Sequence, residues 1–165
     1  MLPINRSQAN LKKNNMENQF YIPQFFKPEE LVSKDVYERL KKLGKLEIIW
    51  TLFDWRVLKT LDFLRAHYNE PITVNNWMNG GNLQQCGLRW DDTTQGAEFS
   101  QHKFGRAADN HFSKTTAEKV REDCLKNPFA EPFQYITCIE AGVSWFHFDV
   151  RNWDKTTHGI LVVKP

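Results

Sequence analysis

Two short stretches hold most of the residues that could do chemistry. Residues 100–109, SQHKFGRAAD, bring a histidine, a glycine and an aspartate close together, and residues 144–151, SWFHFDVR, add a second histidine and a second aspartate. Side chains alternate along an extended strand, so Trp145, His147 and Asp149 share one face and Phe146, Phe148 and Val150 the other. The Phe/Phe/Val face has the character of core. A histidine and an aspartate opposite it need partners, because a buried polar group without one is costly. Gly105 lets the chain turn sharply after His102. The small Ala107 and Ala108 let the next strand lie close to its neighbour, and Asp109 near its start can face the same point as His102. Two histidines and one carboxylate make a three-ligand zinc set with a fourth position open, the catalytic rather than the structural arrangement. Each residue also has an ordinary reading, as a hydrogen-bonded histidine or a strand-end aspartate. His67, His111 and His158 keep that reading, since none stands in a comparable constellation.

These residues need a scaffold, and three helices are readable. One spans about 33–43, with Ser33 as N-cap, Val36, Leu40 and Leu43 on one face and Gly44 at the stop. A second covers about 55–67 behind Asp54, with Val57, Leu58, Leu61 and Leu64 as its apolar stripe. A third begins where Thr115 and Glu118 have capping-box spacing; Ala117, Val120 and Cys124 face inward and Asn127-Pro128 ends it. Strands are expected at 72–75, 107–112, 134–140, 145–150 and 159–164, all carrying β-branched or aromatic residues. The link from Glu140 to Trp145 suits a hairpin, hence antiparallel pairing. Segregated helices with such a sheet predict an α+β domain: a small antiparallel sheet with helices on one side. Residues 76–101 show no periodicity, and structureless stretches of that length are usually functional. Residues 1–19, rich in Asn, Lys and Gln, read as a mobile N-terminal arm, and residues 20–165 as a single domain.

Composition narrows the function classes. The 165 residues are 41% hydrophobic and 13% aromatic, enough to bury a core without disulfides. Net charge is +2, from 22 basic and 20 acidic residues, which offers no electrostatic case for nucleic acid or a membrane surface as partner. Cys86, Cys124 and Cys138 have no CxxC spacing and read as small buried residues of a protein made in a reducing compartment. No apolar run resembles a signal-peptide core or a membrane span, so a route out of the cell would have to come from elsewhere.

SQHKFGRAAD matches the S-x-H-x-x-G-x-A-x-D motif of the zinc D-Ala-D-Ala peptidases, and SWFHFDVR resembles that family's C-terminal W-x-H strand. The family includes carboxypeptidases and endopeptidases of bacterial peptidoglycan and many bacteriophage endolysins. The likeness runs in order of elements from about residue 55 to 151. It implies the small α+β fold shared with the Hedgehog signalling domain, and it makes His102, Asp109 and His147 the zinc ligands. Many members carry an acid three positions before the last histidine; Ser144 stands there and cannot act as a base. The resemblance therefore passes the role of general base to Glu140, as in members whose acid lies farther upstream, ahead of Glu98 and Asp149. Asp149 has a second reading, as an acceptor that orients a ligand. Arg89 resembles the family's substrate-facing arginine. Ser100 and Gln101 could contribute hydrogen bonds beside the metal; Trp77 and Trp90 could form a groove wall, though core packing is the commoner role of a single tryptophan.

The implied activity is zinc-dependent hydrolysis of peptide stems or cross-links of peptidoglycan. A phage product without its own signal would reach the wall after lysis or as a virion component, with a virion or lysis protein as partner. Ser144 motivates an alternative, a zinc-bearing module of the same fold that binds wall or protein without turnover. A metal-dependent nuclease, suggested by Asp109-Asn110-His111, fits poorly with near-neutral charge and no basic stripe.

Overall fold

The computed structural model describes residues 21–90 and 96–164. The arm expected at 1–19 lies outside the described residues. Asp54 opens the longest helix, its carboxylate accepting from the Arg56 amide, and the apolar residues Val57, Leu58, Leu61 and Leu64 are buried along it. In chain order the helices are α1 (Pro28–Leu31), α2 (Lys34–Lys42), α3 (Trp55–Tyr68), α4 (Ala117–Lys126) and α5 (Lys155–His158). Short 3-10 turns lie at Leu46–Leu52, Trp77–Asn79, Gln101–Phe104 and Glu131–Phe133. Ser33 caps α2 as expected. The cap of α4 is Thr116, which accepts from the Lys119 amide, and not Thr115. Thr115 instead gives its amide to the buried carboxylate of Glu70, so the start of α4 moves one residue on.

The strands are β1 (Ile72–Thr73), β2 (Ala107–Phe112), β3 (Cys138–Glu140), β4 (Phe146–Asp149) and β5 (Leu161–Val163). They form one open sheet in the order β1-β2-β4-β3-β5, antiparallel except for the β3–β5 pair. The expected all-antiparallel sheet is corrected at that pair. The β3–β4 hairpin and the β2–β4 pair occupy both edges of β4, so the returning chain passes through α5 and adds beyond β3, in the same direction as β3. The result is an α+β fold with a mostly antiparallel five-stranded sheet.

Most strands are shorter than periodicity predicts, and each loss has a competitor for the backbone groups. Residues 134–136 form no ladder: the Ile136 amide turns back onto the Phe133 carbonyl, and the carbonyls of Phe133, Gln134 and Pro128 accept from the buried Lys155 ammonium. Thr137 still bonds the Asp149 carbonyl and the Leu161 amide. Trp145 stops short of β4: its carbonyl and that of Val143 are held by the two terminal nitrogens of Arg121 on α4. Asn75 gives its amide to the Glu30 carbonyl and its side chain to the Val32 carbonyl, ending β1 early.

One face of the sheet makes the core. Ala108, Ile139, Phe146, Phe148 and Val150 join a single buried cluster with residues of α1, α2, α3 and α4. The opposite face carries Asp109, Glu140, His147 and Asp149. Cys124 and Cys138 are buried and Cys86 half-buried, all as free thiols. Among the described residues no helix is long and apolar enough to cross a membrane.

Candidate metal centre

The site begins with strand register. Ala107 pairs with Asp149 and Asp109 with His147 across the β2–β4 ladder. Directly opposed residues point to the same face, so pairing alone brings Asp109 Oδ1 to 2.7 Å from His147 Nδ1. On the other side of β4, Ile139 pairs with Phe148, which sets Glu140 beside His147. Glu140 Oε1 lies 3.9 Å from His147 Nδ1.

His102 arrives from a 3-10 turn closed by Gly105, whose φ of +62° places it in the left-handed region. A Cβ at Gly105 would also lie 2.0 Å from the Leu52 carbonyl oxygen. Two separate demands thus require glycine, one of conformation and one of close approach. The turn buries His102, with 2% of its surface exposed. The aperiodic stretch before it does the orienting: the Gly87 carbonyl oxygen lies 2.8 Å from His102 Nδ1. That stretch is itself tied down, through Leu88 amide to Leu31 carbonyl, Arg89 amide to His102 carbonyl and Asp109 amide to Cys86 carbonyl.

With Nδ1 directed at Gly87, His102 presents Nε2 to the interior, 3.3 Å from His147 Nδ1 and 3.3 Å from Asp109 Oδ1. Ligand atoms around a zinc ion, with bonds of about 2.0–2.1 Å at tetrahedral angles, stand about 3.3 Å apart. The buried triad His102, Asp109 and His147 can therefore hold a metal ion. The outer contacts fit as well, since a ligating histidine normally directs its second nitrogen at a carbonyl or carboxylate. His102 faces the Gly87 carbonyl, and His147 Nε2 faces Asp149 Oδ2 at 3.5 Å.

The electrostatics carry the mark of a cation-seeking cluster. Burial opposes charge on Asp109, but hydrogen bonds from His102 and His147 outweigh it and hold its carboxyl well below the usual carboxylate range. Burial pushes the His102 imidazole below its ordinary value, against the pull of Asp109. Burial opposes charge on His147 too, yet hydrogen bonds to Asp109 and Asp149, with the Asp109 and Glu140 charges, raise it to about 9. The carboxylates of Asp109, Asp149 and Glu140 around His147 thus favour its protonated form.

The triad opens into a cleft of about 520 Å³ lined by Arg89, Ser100, Gln101, Glu140, Trp145 and Arg151, among others. Arg89 donates from Nη2 to Asp109 Oδ2 at 3.0 Å and from Nε to the Gln85 carbonyl at 2.7 Å. Asp149 is fully buried and gripped by the Arg151 guanidinium through both of its oxygens. Both of its oxygens are thus engaged, and Oδ2 also faces His147 Nε2. Glu98 is exposed and does not line the cleft. Ser144 is exposed and also outside the lining.

Trp77 and Trp90 do not line this cleft. Trp77 donates its indole N–H to the Val32 carbonyl and packs on Tyr37, and Trp90 lines a separate depression with Val36 and Leu40. Trp145 takes that place in the cleft. Its position on the His147 face was legible from alternation. Arg151 and the Gly87 carbonyl were not, because neither carries a signal in residue type or spacing. No family model, curated protein or solved structure matches the chain, so the reading of this site rests on its own geometry.

Proposed function

We propose that the chain is a zinc-dependent peptidase that hydrolyses the peptide stems or cross-links of bacterial peptidoglycan. One observation carries the reading: His102 Nε2, Asp109 Oδ1 and His147 Nδ1 converge at the floor of an open cleft with the Glu140 carboxylate beside them. Two imidazoles and one carboxylate form a donor set that suits zinc, and the three would hold it at the floor of the cleft. Zinc held there supplies Lewis acidity and makes water a nucleophile near neutral pH. Glu140, within a water's reach of His147 Nδ1, accepts the proton of the attacking water and returns it to the leaving amine. Asp149 and the Gly87 carbonyl keep the two imidazoles in the required tautomers. The peptidoglycan substrate comes from the likeness of residues 100–109 and 144–151 to the zinc D-Ala-D-Ala peptidases. With it come action on the wall after lysis or from a virion, and a virion or lysis protein as partner.

The exposed position of Ser144, where many members of that family carry their acid, favours a second reading as a zinc-bearing module that binds without turnover. Incubation of zinc-loaded protein with cross-linked peptidoglycan, with products read by mass spectrometry and His147→Ala as control, separates the two. New peptide termini from the wild type alone support the peptidase. Bound zinc with no cleavage of any stem peptide overturns it in favour of the binding module.

A further inference from the structure

Asp109 is a carboxylate with two oxygens, and only one of them faces the two histidines. Oδ1 lies 2.7 Å from His147 Nδ1 and 3.3 Å from His102 Nε2. Oδ2 points the other way, onto Arg89 Nη2 at 3.0 Å, with both side chains nearly buried at 11% and 8% exposure. The guanidinium is fixed at a second corner, where Nε donates to the Gln85 carbonyl at 2.7 Å. A third constraint comes from the loop above: a Cβ on Gly96 would stand 2.5 Å from Arg89 Nη1. The planar fork is thus anchored to the backbone at Gln85 and covered at Gly96, with one edge presented to Asp109 Oδ2.

We infer that Arg89 is a positioning residue: it withholds Oδ2 so that Asp109 offers the metal a single oxygen and a coordination position stays free for the reaction. The inference rests on the metal centre proposed above. A carboxylate beside a divalent cation readily turns to offer both oxygens, and doing so here would fill the position that faces the cleft. A charge-assisted hydrogen bond on Oδ2 opposes that rotation. The arrangement differs from an arginine that only reaches for substrate, because Nη2 is already engaged with Asp109 and Nε with the Gln85 carbonyl.

The test reads the metal directly. Cobalt(II) is loaded into the wild type, Arg89→Gln and Gly96→Ala, and visible absorption is recorded beside zinc-edge X-ray absorption of the zinc forms. Gly96→Ala crowds the guanidinium, and strains the loop at φ +84°, without altering any charge, so an effect shared by both variants is not peculiar to the loss of Arg89. The wild type is expected to give the intense bands of four-coordinate cobalt. Both variants are expected to lose most of that intensity and gain an oxygen neighbour at zinc, while kcat on a stem peptide falls about 10- to 100-fold with KM unchanged. Wild-type spectra in both variants overturn the inference. A raised KM with an unchanged spectrum overturns it too, and gives Arg89 a grip on substrate instead. Failure of the wild type itself to bind cobalt or zinc overturns the metal centre, an outcome separate from either variant result.

Discussion

Buried carboxylates occur in two regions, and their partners could hardly differ more. On α3, Asp62 accepts from the Tyr21 hydroxyl at 2.8 Å and from the Gln24 and Phe25 amides at 2.6 and 3.1 Å. Just beyond α3, Glu70 likewise accepts from the Ser113 hydroxyl and the Lys114 and Thr115 amides. In both, every oxygen has a donor and the set is closed. At the cleft, Asp109 Oδ1 and the facing nitrogens of His102 and His147 crowd within 3.3 Å of one another. Three atoms rich in lone pairs there share too few protons. A carboxylate with donors to spare is a fastening, here of the 21–25 segment and of the loop before α4. A cluster with lone pairs to spare can hold a cation.

The contrast predicts where damage falls. The largest effect is expected from Asp109→Ala, which should abolish zinc retention and any hydrolysis while the fold persists; atomic absorption and circular dichroism check the two halves. Next comes Glu140→Gln, which should keep zinc and lower kcat by about 10²- to 10⁴-fold, since a general base is removed and no ligand is lost. Full activity in that variant would return the role of base to another acid.

Acidity sharpens the same distinction. His147 carries its proton up to about 9 when no metal is bound, and a ligand must be deprotonated to coordinate. Zinc affinity should therefore rise about tenfold per pH unit as pH climbs from 6.5 towards 9 and then level off. Titration calorimetry in buffers of different ionisation enthalpy would register the released proton. The metal-free fold should show the opposite trend. A pKa raised above the ordinary 6.5 stabilises the fold fully below that pH, and the contribution is lost as pH rises through about 9. Chelator-treated protein should thus melt at lower temperature at pH 9.5 than at pH 6.

The smallest effect on the site is expected from the fastening. Asp62→Ala strands the Gln24 and Phe25 amides and should cost about 1–3 kcal/mol in a denaturant titration. Zinc content and kcat per folded molecule should stay at the wild-type level. A variant that lost zinc as well would show that the two regions are not separable.

Much of the site is legible in the residues themselves, and the reasons are local. Alternation sets His147 and Asp149 on the face opposite Phe146 and Phe148, and the place of the two phenylalanines in the core cluster, with His147 bonded to Asp109, bears it out. Asp54 and Ser33 cap the helices they precede. The failures are of another kind. Thr115 yields the cap of α4 to Thr116 because Glu70, forty-five residues back, takes its amide. Gln134 and Trp145 leave their strands where Lys155 and Arg121 claim their carbonyls. Each miss has a distant side chain claiming a backbone group, and no local window contains that competitor.

By itself, then, the order of residues determined the chemistry available: two imidazoles, a carboxylate, a turn glycine at Gly105 and a strand with one polar face. Those follow from side-chain type and from a two-residue period that is intrinsic to extended backbone. Tertiary structure decided the rest. It chose the register that opposes Asp109 to His147, turned the Gly87 carbonyl onto His102, set Arg89 on the outer oxygen of Asp109 and ran β5 parallel to β3. Such choices depend on which distant donors and acceptors meet once the core has closed, and that is a property of the packed chain and not of any segment of it.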